Sequence, residues 1–240
     1  MPNDYFQFQQ FRIEQSACAM KVSTDACLLG AAVDLRGATR LLDIGTGTGL
    51  LALMAAQRHP TVEITAVEID EAAAAQAGTN IAASPWAGRM AVRALSLTRF
   101  AATRPAPFSH IVCNPPFFRQ SLRSSNAARS TARHEGDSSL SFGEITAFAS
   151  LYLEPAGQLT VLLPPPEMAL FTVEAEVAGL FRQARLVVRH RPDGRVTRHI
   201  SRFGRGATAV EETELTINTG VGAEYSPAFR ALLAGFYLAL

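Results

Sequence analysis

With 240 residues, 48% of them apolar and 18% charged, the chain can bury one large core, or at most a domain and an appendage, and we read residues 1–240 as a single domain. The formal net charge of +1 excludes a generally basic nucleic-acid binder, so any such affinity must come from local patches. Cys18, Cys27 and Cys113 lack C-x-x-C spacing or a nearby His, which argues against zinc, and the polar N-terminus and lack of a long apolar run fit a cytoplasmic protein with no membrane span.

Tyr5 to Glu14 alternate apolar and polar on either side of Gln9 and Gln10, which predicts an N-terminal hairpin within a flank or lid over residues 1–35. Ser23 or Thr24 can then cap a helix that continues as an apolar run from Ala26. Such a helix start can hold a carboxylate, or it is simply a capped helix.

Arg40 to Arg58 is the stretch around which the chain is organised. Leu41 to Ile44 has the short apolar run of a buried parallel strand, and Leu50 to Ala56 is a good helix former. Gly45, Gly47 and Gly49 therefore sit in a strand-to-helix turn, where they allow positive φ and close approach of a ligand to the backbone. A dinucleotide fingerprint places its last glycine three residues after the second, whereas position 50 here is Leu50. Asp43 adds a carboxylate suited to an ammonium and wrong for a pyrophosphate. The pattern Asp-x-Gly-x-Gly-x-Gly is similar to the cofactor loop of class I methyltransferases, which bind S-adenosylmethionine.

Val62 to Ile69 predicts a second strand and Glu71 to Ala82 a helix, with Asp70 as its cap. Glu68 ends that strand at the place where nucleotide-binding sheets hydrogen-bond ribose hydroxyls. Met90 to Leu95 predicts a third strand, after which Ser96 stands where a residue can reach an adenine ring. Phe108 to Cys113 predicts a fourth, and it runs into Asn114, Pro115, Pro116, Phe117 and Phe118. Two prolines cannot continue a central strand, so the chain leaves the sheet at its carboxyl end, the ligand crevice of a parallel sheet. The amide oxygen of Asn114 and the carbonyl of Pro115 can accept the two hydrogens of an aromatic amine, and Phe117 can stack a flipped base.

Arg119, Arg123, Arg129 and Arg133 follow in a Ser- and Ala-rich stretch without acids, a basic loop suited to RNA phosphates. Ser141 to Leu153 predicts a helix, Gly157 to Leu163 a fifth strand, and Glu167 to Arg182 another helix. From 182 to 205 there are eight arginines against the single acid Asp193, with strands at Arg185 to Arg191 and Thr197 to Phe203 joined by a turn at Pro192 to Arg195. This segment is either a solvated charged face or a second RNA contact. Glu214 to Ile217 predicts an edge strand and Pro227 to Leu240 a closing helix.

Together these segments resemble one family, the bacterial tRNA(Val) adenine-N6 methyltransferases, which modify the adenosine next to the anticodon. The resemblance rests on Phe-Gln-Phe-Gln-Gln-Phe (6 to 11), Cys-Ala-Met-Lys-Val-Ser-Thr-Asp (18 to 25), Leu-Leu-Gly (28 to 30), the glycine loop (42 to 54), Val-Glu-Ile-Asp (67 to 70), Asn-Pro-Pro-Phe-Phe (114 to 118), Tyr-Ser-Pro-Ala-Phe (225 to 229) and Phe-Tyr-Leu (236 to 238). It implies a Rossmann-like α/β fold with a mostly parallel seven-stranded sheet, helices on both faces and an N-terminal hairpin and helix extension. It also implies S-adenosylmethionine contacts from Lys21, Thr24, Asp43, Gly45, Thr46, Gly47, Gly49, Glu68, Ile69, Ser96, Leu97 and Asn114, catalysis by the Asn114 to Phe117 turn, a tRNA substrate, no metal and a monomer. Ser96 departs from the family, which places an acid there, and a neutral acceptor is weaker by about 1 kcal/mol. Methylation of guanine N2 in ribosomal RNA or of a protein glutamine stays open, and a nicotinamide oxidoreductase is disfavoured by the glycine spacing.

Overall fold

The computed structural model describes residues 4–18, 20–116, 140–222 and 224–239. The predicted hairpin forms as Tyr5–Gln7 (β1) paired antiparallel with Arg12–Glu14 (β2). Thr24–Ala32 (α1) follows, with the Ser23 hydroxyl accepting from the Ala26 amide. The body of the chain then alternates strand and helix: Arg40–Ile44 (β3), Leu50–Arg58 (α2), Glu63–Glu68 (β4), Glu71–Ala82 (α3), Met90–Ala94 (β5), Leu97–Ala102 (α4), Phe108–Cys113 (β6), Phe142–Tyr152 (α5), Leu153–Leu163 (β7) and Pro165–Val177 (α6). Phe181–Arg189 (β8), Val196–Gly204 (β9), Glu211–Thr216 (β10) and Pro227–Leu233 (α7) complete it.

Several boundaries differ from expectation for local reasons. Helix α6 stops well before Arg182 because Gly179 takes φ +78, a left-handed stop that turns the chain into β8. Helix α4 was not foreseen: Ser96 caps it by accepting from the Arg99 amide, and only two of its side chains, Leu97 and Phe100, are buried. Helix α7 ends at Leu233, and the amides of Phe236 and Tyr237 then bond back to the Leu233 carbonyl.

Among the described residues the main sheet has eight strands in the order β10-β8-β9-β7-β6-β3-β4-β5, one more than the seven expected. The outermost is β10, the edge strand expected at Glu214 to Ile217, which pairs parallel with β8 from Glu211 opposite Ala184 to Thr216 opposite Arg189. Only β9 runs against its neighbours, so the long β8–β9 hairpin supplies the expected antiparallel strand. The chain enters the sheet at β3, winds outward through β4 and β5, then returns to the other side of β3 as β6. That reversal places Ile44 opposite Cys113, so the ends of β3 and β6 open side by side at the carboxyl edge. In an open parallel sheet this is the crevice where ligands bind.

Alternation along the strands divides the core in two. Leu41, Val112 and Leu162 point to the face covered by α1, α2 and α7, while Leu42, Ile44, Ile111, Cys113 and Leu163 point to the face covered by α4, α5 and α6. The first of these clusters reaches from Phe8 in the hairpin to Phe236 near the end of the chain. The three cysteines are buried free thiols, Cys27 in the first cluster and Cys113 in the second. No helix among the described residues is long and apolar enough to cross a membrane.

One buried amide joins the hairpin to the sheet. Asn80 of α3 accepts from the Glu14 amide and donates to the carbonyls of Glu14 and Thr48, each at 2.9 Å, while only 2% exposed. It therefore fixes β2 and the glycine turn to one helix. Asn80→Ala would strand three backbone groups in a dry site, and we expect it to cost about 2–4 kcal/mol of stability. Urea denaturation checks this, and an unchanged midpoint would show that water replaces the amide.

Candidate active site at the carboxyl edge

Gly45, Gly47 and Gly49 take φ values of +69, +55 and +83, so the turn after β3 requires the left-handed conformation at alternate positions. No atom lies within 4 Å of a Cβ built on Gly45 or Gly47, which leaves open space for a ligand against the backbone. The turn hangs from the neighbouring strand: the amides of Gly45 and Thr46 both donate to the Val67 carbonyl, at 2.8 and 3.1 Å. Sequence reading missed this anchor because a main-chain carbonyl has no sequence signature.

The carboxylate of Asp43 braces the turn from beneath. It is fully buried, and its Oδ2 accepts from the Thr46 hydroxyl at 2.5 Å and the Ala52 amide at 3.2 Å. Both Asp43 and Thr46 were expected as ligands, yet each turns inward to hold loop and helix together. The other oxygen of Asp43, Oδ1, has no hydrogen-bond partner among the described residues. Burial pushes the Asp43 carboxyl up to about 7, with the Thr46 hydroxyl and Ala52 amide pulling it back and Glu68 pushing it further up.

Glu68 ends β4 beside the turn, as expected, and both its oxygens are engaged. Oε2 accepts from the Gly47 amide at 2.9 Å and Oε1 from the Asp70 amide at 3.1 Å. A carboxylate held this way still has lone pairs for hydroxyl donors. Ile69, half exposed next to it, offers an apolar surface at the same edge. Ser96 lies at the end of the third parallel strand, but its hydroxyl caps α4, and the Leu97 side chain is buried in the core rather than facing the crevice. Leu97, expected as a cofactor contact, thus presents only its main chain towards that edge, because Ser96 starts a helix there. Thr24 is exposed at the first turn of α1, and Lys21 is exposed 3.9 Å from Asp4. Asp70 caps α3, accepting from the Ala73 amide at 2.8 Å.

Across from the turn, Asn114 follows the last residue of β6. Its Oδ1 is buried and has no hydrogen-bond partner among the described residues. A buried acceptor without a donor is costly unless a ligand completes it, and this one stands at the switch point. Pro115 is buried and Pro116 exposed. Phe117, Arg119, Arg123, Arg129 and Arg133 lie outside the described residues. The open glycine turn and the free lone pairs of Glu68 fit a cofactor with a ribose.

Asp43 also sets a pH dependence. Its folded value near 7 lies above the usual 3.8, so the native protein holds this proton more tightly than the unfolded chain does. Its contribution is fully present below about pH 4 and is lost as pH rises towards 7. Relative to Asp43→Asn, which cannot titrate, the wild type should lose stability between about pH 4 and 7 and hold level above that. Denaturation of both proteins across this range checks it, and parallel profiles would mean that the carboxyl ionises in place.

The methyltransferase small domain family model matches residues 18–163. Over 233 residues the chain is 41% identical to a tRNA1(Val) (adenine(37)-N6)-methyltransferase of Pseudoalteromonas translucida, spanning 97% of this chain and 98% of that one. It is 39% identical to the protein of the same name from Dyadobacter fermentans, over 98% of both chains. A solved structure described as a predicted O-methyltransferase from Agrobacterium tumefaciens superposes with a TM-score of 0.65 at 22% identity, covering 88% of this chain and 96% of the other, a likeness of fold. With this identity extending over nearly its whole length, the chain belongs to the tRNA1(Val) (adenine(37)-N6)-methyltransferase family.

Proposed function

We propose that this protein methylates N6 of the adenosine next to the anticodon of tRNA1(Val), acting as a monomer in the cytoplasm. The observation that carries the reading is the buried Oδ1 of Asn114, which has no hydrogen-bond partner among the described residues, one strand away from a glycine turn built for close ligand approach. S-adenosylmethionine supplies a methyl group on a sulfonium when bound. Gly45, Gly47 and Gly49 would carry its backbone-facing side, Glu68 its ribose hydroxyls and Ile69 the adenine face, with Thr24 and Lys21 at the methionine carboxylate. Asp43 and Thr46 would act by keeping the turn in shape.

Asn114 addresses the chemical difficulty. The N6 lone pair of adenine is delocalised into the ring, and attack requires the nitrogen to become tetrahedral. Accepting one N–H at Asn114 Oδ1 and the other at the Pro115 carbonyl favours that change and points the lone pair at the methyl. Both bonds strengthen as the nitrogen gains positive character, so they favour the transition state over the ground state. Phe117 would stack the flipped base, and Arg119, Arg123, Arg129 and Arg133 would meet phosphates.

Asn114→Ala should therefore lower the single-turnover rate by about 10- to 150-fold, the range for a hydrogen bond to a charged group, while S-adenosylhomocysteine affinity stays near wild type. The assay is transfer of labelled methyl to unmodified tRNA followed by nucleoside analysis. Wild-type rates in the variant, or label on guanosine, would overturn the role given to Asn114.

A further inference from the structure

The eight arginines between 182 and 205 divide sharply once their partners are known. Arg185 pairs with Glu212, Arg189 with Glu214, Arg198 with Asp25 and Arg202 with Asp34. Arg205 donates to the carbonyls of Ser150 and Leu153, and Arg182 is half-buried near the start of β8. Arg191 and Arg195 remain, both exposed and with no ion pair among the described residues. Both sit at the tip of the β8–β9 hairpin. Because β9 starts where β8 ends, that tip projects from the carboxyl edge, the same edge as the glycine turn and Asn114. Three strand spacings separate β8 from β6, roughly 15 Å.

Beside this tip lies a groove of about 460 Å³ whose walls include Thr24, His190, Arg198, Asn218 and Tyr225. It begins at the start of α1, which the Asp25–Arg198 pair ties to β9 at 2.8 Å. Tyr225 stacks one ring face on Phe229 with centroids 4.6 Å apart, yet remains 36% exposed. Asn218 is only 8% exposed; its Nδ2 lies 3.2 Å from His190 Nε2, and its Oδ1 has no hydrogen-bond partner among the described residues. An aromatic plate, an unsatisfied amide and two exposed cations match the three parts of a nucleotide: base face, base edge and phosphate.

We infer that this groove holds a second, unmodified nucleotide of the substrate RNA, with its base on Tyr225, its base edge towards Asn218 and the adjoining backbone phosphates on Arg191 and Arg195. This rests on the reading that the substrate is tRNA. It gives the Tyr-Ser-Pro-Ala-Phe segment a task in gripping RNA, distinct from the methyl-transfer turn. Holding a neighbouring nucleotide also restrains the strand from which the target base is flipped.

Two variants and one modified RNA test it. Arg191→Ala/Arg195→Ala should weaken tRNA binding and reduce the slope of log affinity against log salt by about 1.4, the release expected for two single-strand phosphates. Tyr225→Ala should lower the methylation rate at subsaturating tRNA by about 5- to 150-fold, and Tyr225→Phe should restore it, since the stacking face survives. S-adenosylhomocysteine affinity should be unchanged throughout. In an anticodon stem-loop carrying single abasic sites, one position beside the target should reproduce the Tyr225→Ala loss, and combining the two should add little. If the arginine variant keeps the wild-type salt slope and no abasic site couples to Tyr225, the groove does not hold RNA. Should Tyr225→Ala fail to fold, the salt slope of the exposed arginine pair decides alone. If the wild type leaves adenosine in tRNA unmethylated, the functional reading falls, while the binding arms still decide the groove.

Discussion

The pairing of β3 with β6 is the constraint on which the site depends. The two strands are nearly seventy residues apart in sequence, yet Ile44 lies opposite Cys113, so the turns that follow them open side by side. This arises because the chain winds outward from β3 and must then cross back to continue the sheet on the other side. At this reversal the helices that follow the two strands, α2 after β3 and α5 after β6, lie on opposite faces of the sheet, which leaves the crevice between the strand ends open. A cofactor cradle and an amide acceptor become neighbours through topology alone.

Within that crevice, polar groups divide between bracing the site and facing it. Asp43 and Thr46 spend their hydrogen bonds on each other and on α2, while Glu68 holds the Gly47 amide and keeps lone pairs towards solvent. Such bracing counts because three left-handed residues in five give a turn with little shape of its own. Its form is imposed by the Val67 carbonyl, the Asp43 carboxyl and the Asn80 amide acting from three directions. Placing a carboxyl there raises its proton affinity, so part of the site's rigidity depends on pH.

Charge follows the same division. A formal net charge of +1 gives no field that would draw RNA to the whole surface, and the arginine-rich hairpin looks far more basic in sequence than it is in space. Four of its arginines are neutralised by carboxylates from α1, β10 and the turn after α1, and those pairs fasten the hairpin to the rest of the sheet. Of the four arginines without a carboxylate partner among the described residues, Arg182 and Arg205 lie at the far end of the hairpin, while Arg191 and Arg195 flank Asp193 at the tip, where the edge of the sheet meets the crevice.

Local chemistry alone determined much of this protein. The glycine turn, the caps at Ser23, Asp70 and Ser141, the strand ending at Glu68 and the exit at Asn114 follow from φ preferences, side-chain acceptors and the missing amide of proline, none of which needs distant residues. Their spacing was enough to indicate a methyltransferase and its cofactor. Tertiary structure decided what the same residues do once neighbours compete for them. Whether Thr46 faces a ligand or Asp43 depends on burial, whether Leu97 meets the crevice depends on a helix that starts at Ser96, and the parallel pairing of the edge strand β10 depends on β8 offering it an open edge. The partners of the arginines came from elements up to 173 positions away, and hydrogen bonds and ion pairs at such separations leave no periodic trace in a single sequence.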